Sequence, residues 1–364
     1  MIVGGGPTGL SAAILLKKTN HLTPVVYDAY LEATAVRGSI GLQPNGLRIL
    51  KDLGLYDELI ARGSSGTNVV LHSIKSSVMG EFDFVSWSKK QTGCGQLEIR
   101  RADLLEVLCG AAQRAGIEVY YNKTLSKITE GDQQVMATDF LLGYDGLRST
   151  VRTSYVDPNI EPEYSGITDI FSLVPISDRP TPGGLGRQTH TTFTTDGFFA
   201  LMCCTAQRDV NYWFFSSEFL TCASGVEGDH TVCDFKPIIR NAANNIKGEW
   251  GDVLRSFVDK SKELKFYPIW TLPLGGKWYK GRCLLLGDAA HAMSPHAGEG
   301  VSMALEDVRY DEKRSPRTDE TSPWRLWFNE IVLTAFLTLY RIFNLQSFGF
   351  GQKLSVYNIR EESL

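Results

Sequence analysis

The sequence predicts a mixed fold, α/β in its layered part and α+β overall: a parallel-sheet domain, a mostly antiparallel sheet inserted into it, and helices at the C-terminal end. Three observations predict it. From Met1 to about Val151, short apolar runs alternate with helix-periodic segments. From about Val151 to Trp270, β-branched and aromatic runs stand between Gly, Pro and Asp clusters. The first pattern then returns at Cys283–Leu286, a continuous apolar run suited to a strand buried on both faces.

Met1–Val3 is read as the end of a strand. Gly4-Gly5-Gly6-Pro7-Thr8-Gly9 turns it into a helix on which Leu10, Ala13 and Ile14 recur at spacings of three and four. Thr23–Asp28 is the next strand. Pro44–Leu53 forms a helix with Leu47, Leu50 and Leu53 on one face, closed by Gly54. Ala102–Ala115 carries Leu104, Leu108, Ala111 and Ala115 on one stripe, with Gly116 placed to end it. Ile117–Tyr121 and Phe140–Gly143 follow as strands. THTTFTT, FFALMCC and VNYWFFSS are the clearest strands of the inserted sheet. The expected divisions are 1–152, 153–275 for the sheet, 276–320 for the return to the first domain, and 321–364 for a helical tail.

Composition narrows the functional class. The 364 residues include 37 basic and 41 acidic side chains, a formal charge of −4, which argues against a nucleic-acid partner. With 43% hydrophobic and 11% aromatic residues the chain supports a sizeable core, so disordered, collagen-like and disulfide-scaffold classes are excluded. The seven cysteines are odd in number and form no C-x-x-C pair, against zinc-ribbon and thioredoxin-like sites and in favour of reduced thiols in the cytoplasm. The opening MIVGGGPTGL has no charged n-region, so no secretory leader is expected, and Asn122-Lys123-Thr124 is read as an accidental glycosylation match. Ile331–Tyr340 is an unbroken apolar run, shorter than the ~20 residues a spanning helix needs. Two placements stay open for it: a helix docked on the body, or a peripheral membrane contact flanked by Trp324, Trp327, Phe328 and Phe343. His291 and His296 lack the spacing of a metal motif, and no metal is expected.

The first chemical signal is GGGPTG, a G-x-G-x-x-G run that leaves a strand, opens a helix and precedes a strand ending in Asp28, 24 positions after Gly4. In a Rossmann-like domain Gly4 permits the tight turn, Gly6 lets a pyrophosphate approach the backbone, and Gly9 lets helix and strand pack closely. Asp28 then accepts from a ribose hydroxyl.

Two further stretches separate a flavin from a nicotinamide. DFLLGYDGLRSTVR (Asp139–Arg152) resembles the DG motif of the group A flavoprotein monooxygenases, the para-hydroxybenzoate and salicylate hydroxylase family. GRCLLLGDAAHAMSPHAGEGVSMALEDV (Gly281–Val308) resembles their GD motif. The three motifs occur in the family's order. The resemblance implies a Rossmann-like FAD-binding domain with an inserted, mostly antiparallel substrate domain and C-terminal helices. It implies tightly but non-covalently bound FAD, NADPH or NADH as reductant, and O2. One oxygen atom is expected to enter an aromatic, polyketide-like or alkene small molecule, as chemistry of secondary metabolism. It assigns Asp288 to the ribityl chain, the N–H groups at Gly300 and Val301 to the flavin edge, Arg101 in EIRRADLL to the FAD ribose or phosphate, and Gly38 to a segment passing close to the cofactor. Asp145 and Arg148 of the DG motif go to the pyrophosphate region and the reduced nicotinamide. On the substrate side Arg187, Tyr212 and His296 are the catalytic candidates, with His190 beside them. For Arg187, His190 and Tyr212 sheet packing is the open alternative, and for His296 a packed or solvated side chain.

The chain departs from the family pattern in places. The first strand is short, Arg37 stands where Gly is common, and Glu299 and Ser302 replace the usual Gln and Asn. Val308 runs almost directly into Tyr310–Arg317, as an internal deletion would leave it. The competing expectations are therefore a non-catalytic, FAD-poor relative or another oxidoreductase on the same fold. A halogenase is disfavoured by the absence of W-x-W-x-I-P, and a nicotinamide dehydrogenase leaves the GD stretch unexplained.

Overall fold

The computed structural model describes residues 1–19, 22–34, 38–66, 68–83, 85–129, 138–176, 186–218, 235–295 and 298–313. Arg37, His296, Cys222, Cys233 and the whole stretch 314–364, with the apolar run Ile331–Tyr340, lie outside the described residues.

Short apolar runs with no polar alternation need cover on both faces, and they assemble into one sheet. Its six strands lie in the order Tyr279–Lys280, Cys283–Leu285, Leu141–Gly143, Ile2–Val3, Val25–Tyr27, Glu118–Tyr120. All pairings are parallel except that of the Tyr279–Lys280 edge. The two-residue first strand sits in the middle: Ile2 pairs with Val26 and Leu142, Val3 with Tyr27 and Gly143. Gly4 N–H donates to Tyr27 O (2.8 Å) and Tyr144 N–H to Val3 O (2.7 Å), extending the ladder into the turn. Short as it is, the strand is hydrogen-bonded on both sides.

The helix Gly300–Lys313 packs on both Pro7–Thr19 and Pro44–Asp52, and Pro7–Thr19 also meets Arg101–Arg114. Leu10, Ala13, Ile14, Leu47, Leu50, Leu104, Leu108 and Leu305 share their core. Each fully buried Leu or Ile contributes about 1.5–3 kcal/mol. Pro44 opens its helix with its fixed φ, and Gly54 and Gly116 follow their helices at φ +86° and +65°, the left-handed ending the sequence predicts.

The second sheet has seven strands, in the order Lys265–Thr271, Glu163–Pro175, Val210–Ser217, Phe198–Cys203, Thr189–Phe193, Asn68–His72, Val78–Asp83. It therefore takes two strands from residues 68–83, ahead of the expected start at 153. One face of this sheet, with Phe199, Leu201, Trp213 and Phe215, is covered by the helices Lys236–Asn244 and Gly248–Lys260 through Ile239, Trp250, Leu254 and Phe257. A third sheet joins Ser39–Leu42, Leu97–Arg100 and Ser64–Ser65.

Among the described residues the five cysteines are free, no group of three His, Cys, Asp or Glu side chains is placed to hold a metal ion, and no helix is long and apolar enough to cross a membrane.

Candidate active site

The turn after the first strand is shaped by crowding at Gly4 and Gly9 and by space at Gly6. Gly4 has φ +110°, and a Cβ there would lie 2.2 Å from Tyr144 O; a Cβ at Gly9 would lie 2.0 Å from Gly4 O. At Gly6 nothing stands within 4 Å of the same position. The open side thus lies beside the N-terminus of Pro7–Thr19, where free backbone N–H groups and the helix dipole favour an anion. Asp28, at the end of Val25–Tyr27, is held in place: its Oδ2 accepts from Gly5 N–H (2.6 Å) and its Oδ1 from Tyr30 N–H (2.8 Å).

The DG and GD stretches meet around Arg152. This arginine is 2% exposed and donates to Leu147 O (2.6 Å), Ala289 O (2.8 Å) and Ile160 O (3.2 Å). Burial lowers its pKa, opposed by Asp145 and Asp157. Asp145 is turned into its own loop, accepting from Ser149 Oγ (2.6 Å) and Val151 N–H (3.1 Å), while Arg148 lies over the Trp270 ring at 5.6 Å. Asp288 opens the short helix Asp288–His291 and is exposed. Behind it Asp307 accepts from Gly287 N–H (2.8 Å) and pairs with His291 Nε2 (2.6 Å). Burial lowers the His291 pKa, but Asp307 outweighs it and the net shift is upward. Gly300 begins the next helix with nothing within 4 Å of its Cβ position.

The face of the seven-stranded sheet opposite the helices Lys236–Asn244 and Gly248–Lys260 is aromatic. Ring centroids run from Phe171 to Tyr212 (5.7 Å), to Phe214 (5.9 Å), to Phe198 (5.8 Å) and to Phe193 (4.7 Å). Phe193 is 64% exposed, a large apolar surface left open to a ligand. Gly38 abuts the Phe171 end, where a Cβ would meet its ring at 3.3 Å, and Gly38 O accepts from Arg101 N–H (3.0 Å). Arg101 opens its helix and its charge acts on both Tyr212 and Tyr267, whereas Arg100 is paired with Asp103 (2.5 Å). Burial, reinforced by Asp169, holds the Tyr212 phenol well above its ordinary value, so at neutral pH it is a hydrogen-bond donor.

The other candidates are placed apart from this row. Arg187 is exposed in the bend before Thr189–Phe193. His190 faces the helices: its Nδ1 lies 2.9 Å from His72 Nε2, both rings lie against Trp250, and Trp250 donates to Thr192. Burial and His72 push His190 down to about 4. Sequence reasoning missed Phe171, Asp169, Asn45 and Glu98. Phe171 lies in the 13-residue strand Glu163–Pro175, whose burial pattern is broken by a register shift between Tyr164 and Thr168.

An anion-ready turn, a fixed carboxylate at the next strand end, an open helix start after the GD turn and a facing aromatic sheet define a dinucleotide-using oxidoreductase with a separate substrate wall. Residues 1–310 match the FAD binding domain family. Over 330 residues the chain is 24% identical to the 6-hydroxynicotinate 3-monooxygenase of Bordetella bronchiseptica, covering 84% of this chain and 80% of that protein. It is 26% identical to the salicylate hydroxylase of Pseudomonas putida over 333 residues, 85% of this chain and 74% of that one. Klebsiella pneumoniae HpxO, solved with FAD and uric acid, shares the fold with a TM-score of 0.70 at 22% identity, over 98% of this chain and 92% of that chain. The chain belongs to the FAD-binding family of group A flavoprotein monooxygenases, and its cofactor is FAD.

Proposed function

We propose that the protein hydroxylates a planar, oxygenated aromatic small molecule, with NADPH or NADH as reductant and O2 as oxygen donor, as a cytoplasmic enzyme of secondary metabolism. The observation that carries this reading is the aromatic row from Phe171 to Phe193 on that sheet face, beginning where Gly38 and Arg101 border the nucleotide domain. Offset aromatic rings give a flat substrate a stacking surface. The relatives' named substrates, salicylate and 6-hydroxynicotinate, are flat oxygenated rings of this kind.

The residues fit the cofactor. In this reading Gly4, Gly6 and Gly9 with the Pro7–Thr19 N-terminus take the pyrophosphate, Asp28 and Arg101 the ribose end, Asp145 and Asp288 flank the middle, and Gly38, Gly300 and Val301 border the ring. Bound FAD supplies the redox and oxygen chemistry. The protein's part is orientation and shielding: the sheet face stacks the substrate and excludes water, and the protonated Tyr212 donates to an oxygen on the substrate.

The test is oxygen uptake by the FAD-loaded protein with NADPH or NADH against a panel including salicylate, 6-hydroxynicotinate and urate. At least one ring compound should stimulate uptake and yield a product one oxygen atom heavier. Tyr212→Phe should lower kcat/KM for that compound about tenfold with FAD content unchanged, the equivalent of one lost hydrogen bond of ~1.4 kcal/mol. A protein that retains no FAD, or whose nicotinamide oxidation ignores every aromatic compound, defeats the proposal.

A further inference from the structure

Gly287, between the strand Cys283–Leu285 and the short helix Asp288–His291, sits where three parts of the cofactor domain meet. It is buried, at φ +59° and ψ −143°. A Cβ there would lie 3.1 Å from Ala304 Cβ, 3.7 Å from Thr8 Oγ1 and 4.0 Å from Tyr144 Cδ1. Thr8 belongs to the helix Pro7–Thr19, Tyr144 to the DG stretch and Ala304 to the helix Gly300–Lys313. Both backbone groups of Gly287 are bonded. Its carbonyl accepts from Ala290 N–H (2.8 Å) and His291 N–H (3.0 Å), and its N–H donates to Asp307 Oδ2 (2.8 Å).

The same oxygen holds a second group. His291 Nε2 lies 2.6 Å from Asp307 Oδ2, with 6% of the His291 side chain and 16% of the Asp307 side chain exposed. A carboxylate only accepts, so Nε2 carries the hydrogen. Asp307 stands three positions after Ala304, on the same face of its helix, so the helix meets the turn through packing at one residue and hydrogen bonds at the other. Asp288 is the other charged group acting on His291, and Arg152 bonds the nearby carbonyl of Ala289. Asp288 and Gly300 are 12 positions apart in sequence, and Asp307 ties the turn that carries the first to the helix that the second begins.

We propose that Asp307, with His291, is a positioning residue that seats the turn carrying Asp288 on the helix begun by Gly300, and so sets the two FAD contacts relative to each other. The inference rests on the placement of Asp288, Gly300 and Val301 against FAD given above. Asp307 lies about two turns into the helix, ~10 Å from its start, and acts through Gly287 rather than on the cofactor. One oxygen that holds two N–H groups fixes the direction of the turn as well as its distance, since both bonds weaken when the turn tilts. The consequence is selective. Loosening the turn disturbs the contacts to the ribityl chain and the ring. The contacts of Gly6 and Asp28 hang on another turn, held by Gly5 N–H to Asp28 (2.6 Å) and Gly4 N–H to Tyr27 O (2.8 Å), in which Asp307 has no part.

The test compares FAD, titrated by flavin fluorescence, with ADP, titrated by calorimetry, because ADP lacks the ribityl chain and the ring. Asp307→Ala should weaken FAD about tenfold or more, as loss of a charge-assisted bond does, and leave ADP within about twofold of wild type. Asp307→Asn keeps an oxygen for both N–H groups and should restore most of the FAD affinity. Equal loss for both ligands, or no loss for FAD, overturns the positioning. Amide hydrogen exchange in the apoprotein reads the seating of the turn independently. Peptides spanning Leu286–His291 should exchange about tenfold faster in Asp307→Ala, with the helix Arg101–Arg114 unchanged. Faster exchange in both segments, or in neither, overturns the seating. Where Asp307→Ala does not fold, His291→Leu removes one of the two N–H groups from that oxygen and should show the same two contrasts at about threefold. A wild-type chain that binds no FAD overturns the proposed function and the positioning with it, while exchange in the apoprotein still decides how the turn is seated.

Discussion

Gly6 and Gly9 belong to one turn and answer to different constraints. A methyl group at Gly9 would fall 2.0 Å from the Gly4 carbonyl, a backbone atom that cannot rotate away, whereas the same group at Gly6 meets nothing within 4 Å. Gly9→Ala should therefore lower thermal stability, by about 2 kcal/mol or more, whether or not FAD is added. Gly6→Ala should melt with wild type as apoprotein yet bind FAD at least tenfold more weakly, because its methyl group occupies the pyrophosphate's approach. Melting of the apoproteins and FAD titration by flavin fluorescence separate the two, and equal behaviour of the variants would contradict the assignment. This division was legible from the spacing of the glycines alone. Asn45 was not: nothing in PNGLRILKD marks its side chain as one whose Oδ1 is buried with no donor among the described residues.

Elements were legible where burial is periodic or continuous and illegible where tertiary contacts overrule the local pattern. The strands around Ile2, Val26, Leu142 and Leu284 and the helix Arg101–Arg114 follow from their apolar runs. The helices Lys236–Asn244 and Gly248–Lys260 did not, because aromatic and β-branched residues on both sides gave that stretch a sheet-like composition. The strand Leu97–Arg100 breaks alternation outright: Leu97, Glu98 and Ile99 are all buried. Glu98 lies beneath Gly41 with Gln96 Nε2 donating to its Oε1 (2.9 Å), and burial holds its carboxyl near 7. With the folded value raised above the unfolded one, the native state binds more protons between about pH 4.5 and pH 7, so wild type loses stability as pH rises through that window. Glu98→Gln removes the loss. It should match wild type near pH 4.5 and exceed it at about pH 8, by ~3 kcal/mol at most for a shift of this size. Urea denaturation at the two pH values reads the difference, and a variant less stable at the higher pH would count against it.

For the molecule as a whole, the chain leaves the six-stranded sheet after Gly143, builds most of the second sheet, and returns at Tyr279 to complete the first. A cofactor domain assembled from two distant stretches needs something that fixes one against the other, and Arg152 is placed to do so. Its planar guanidinium spans Leu147 O in the outgoing DG loop and Ala289 O in the returning GD turn, 137 positions away in sequence, with Ile160 O as a third acceptor. A lysine retains the charge but not the fork, and its compact ammonium cannot reach three carbonyls set around a plane. Arg152→Lys should therefore cost about 3 kcal/mol, since at least one buried carbonyl loses a charged donor and the ammonium is left incompletely bonded in a site that already disfavours charge. The same change should weaken FAD retention, because the DG and GD turns would no longer be held in one arrangement. Were stability the only readout, any core lesion would look alike. The distinguishing observation is that added FAD restores less of the lost stability in Arg152→Lys than in Gly9→Ala at equal apoprotein destabilisation if the arginine sets the relation between the two turns. Equal recovery by FAD in both variants would reduce Arg152 to a packing residue.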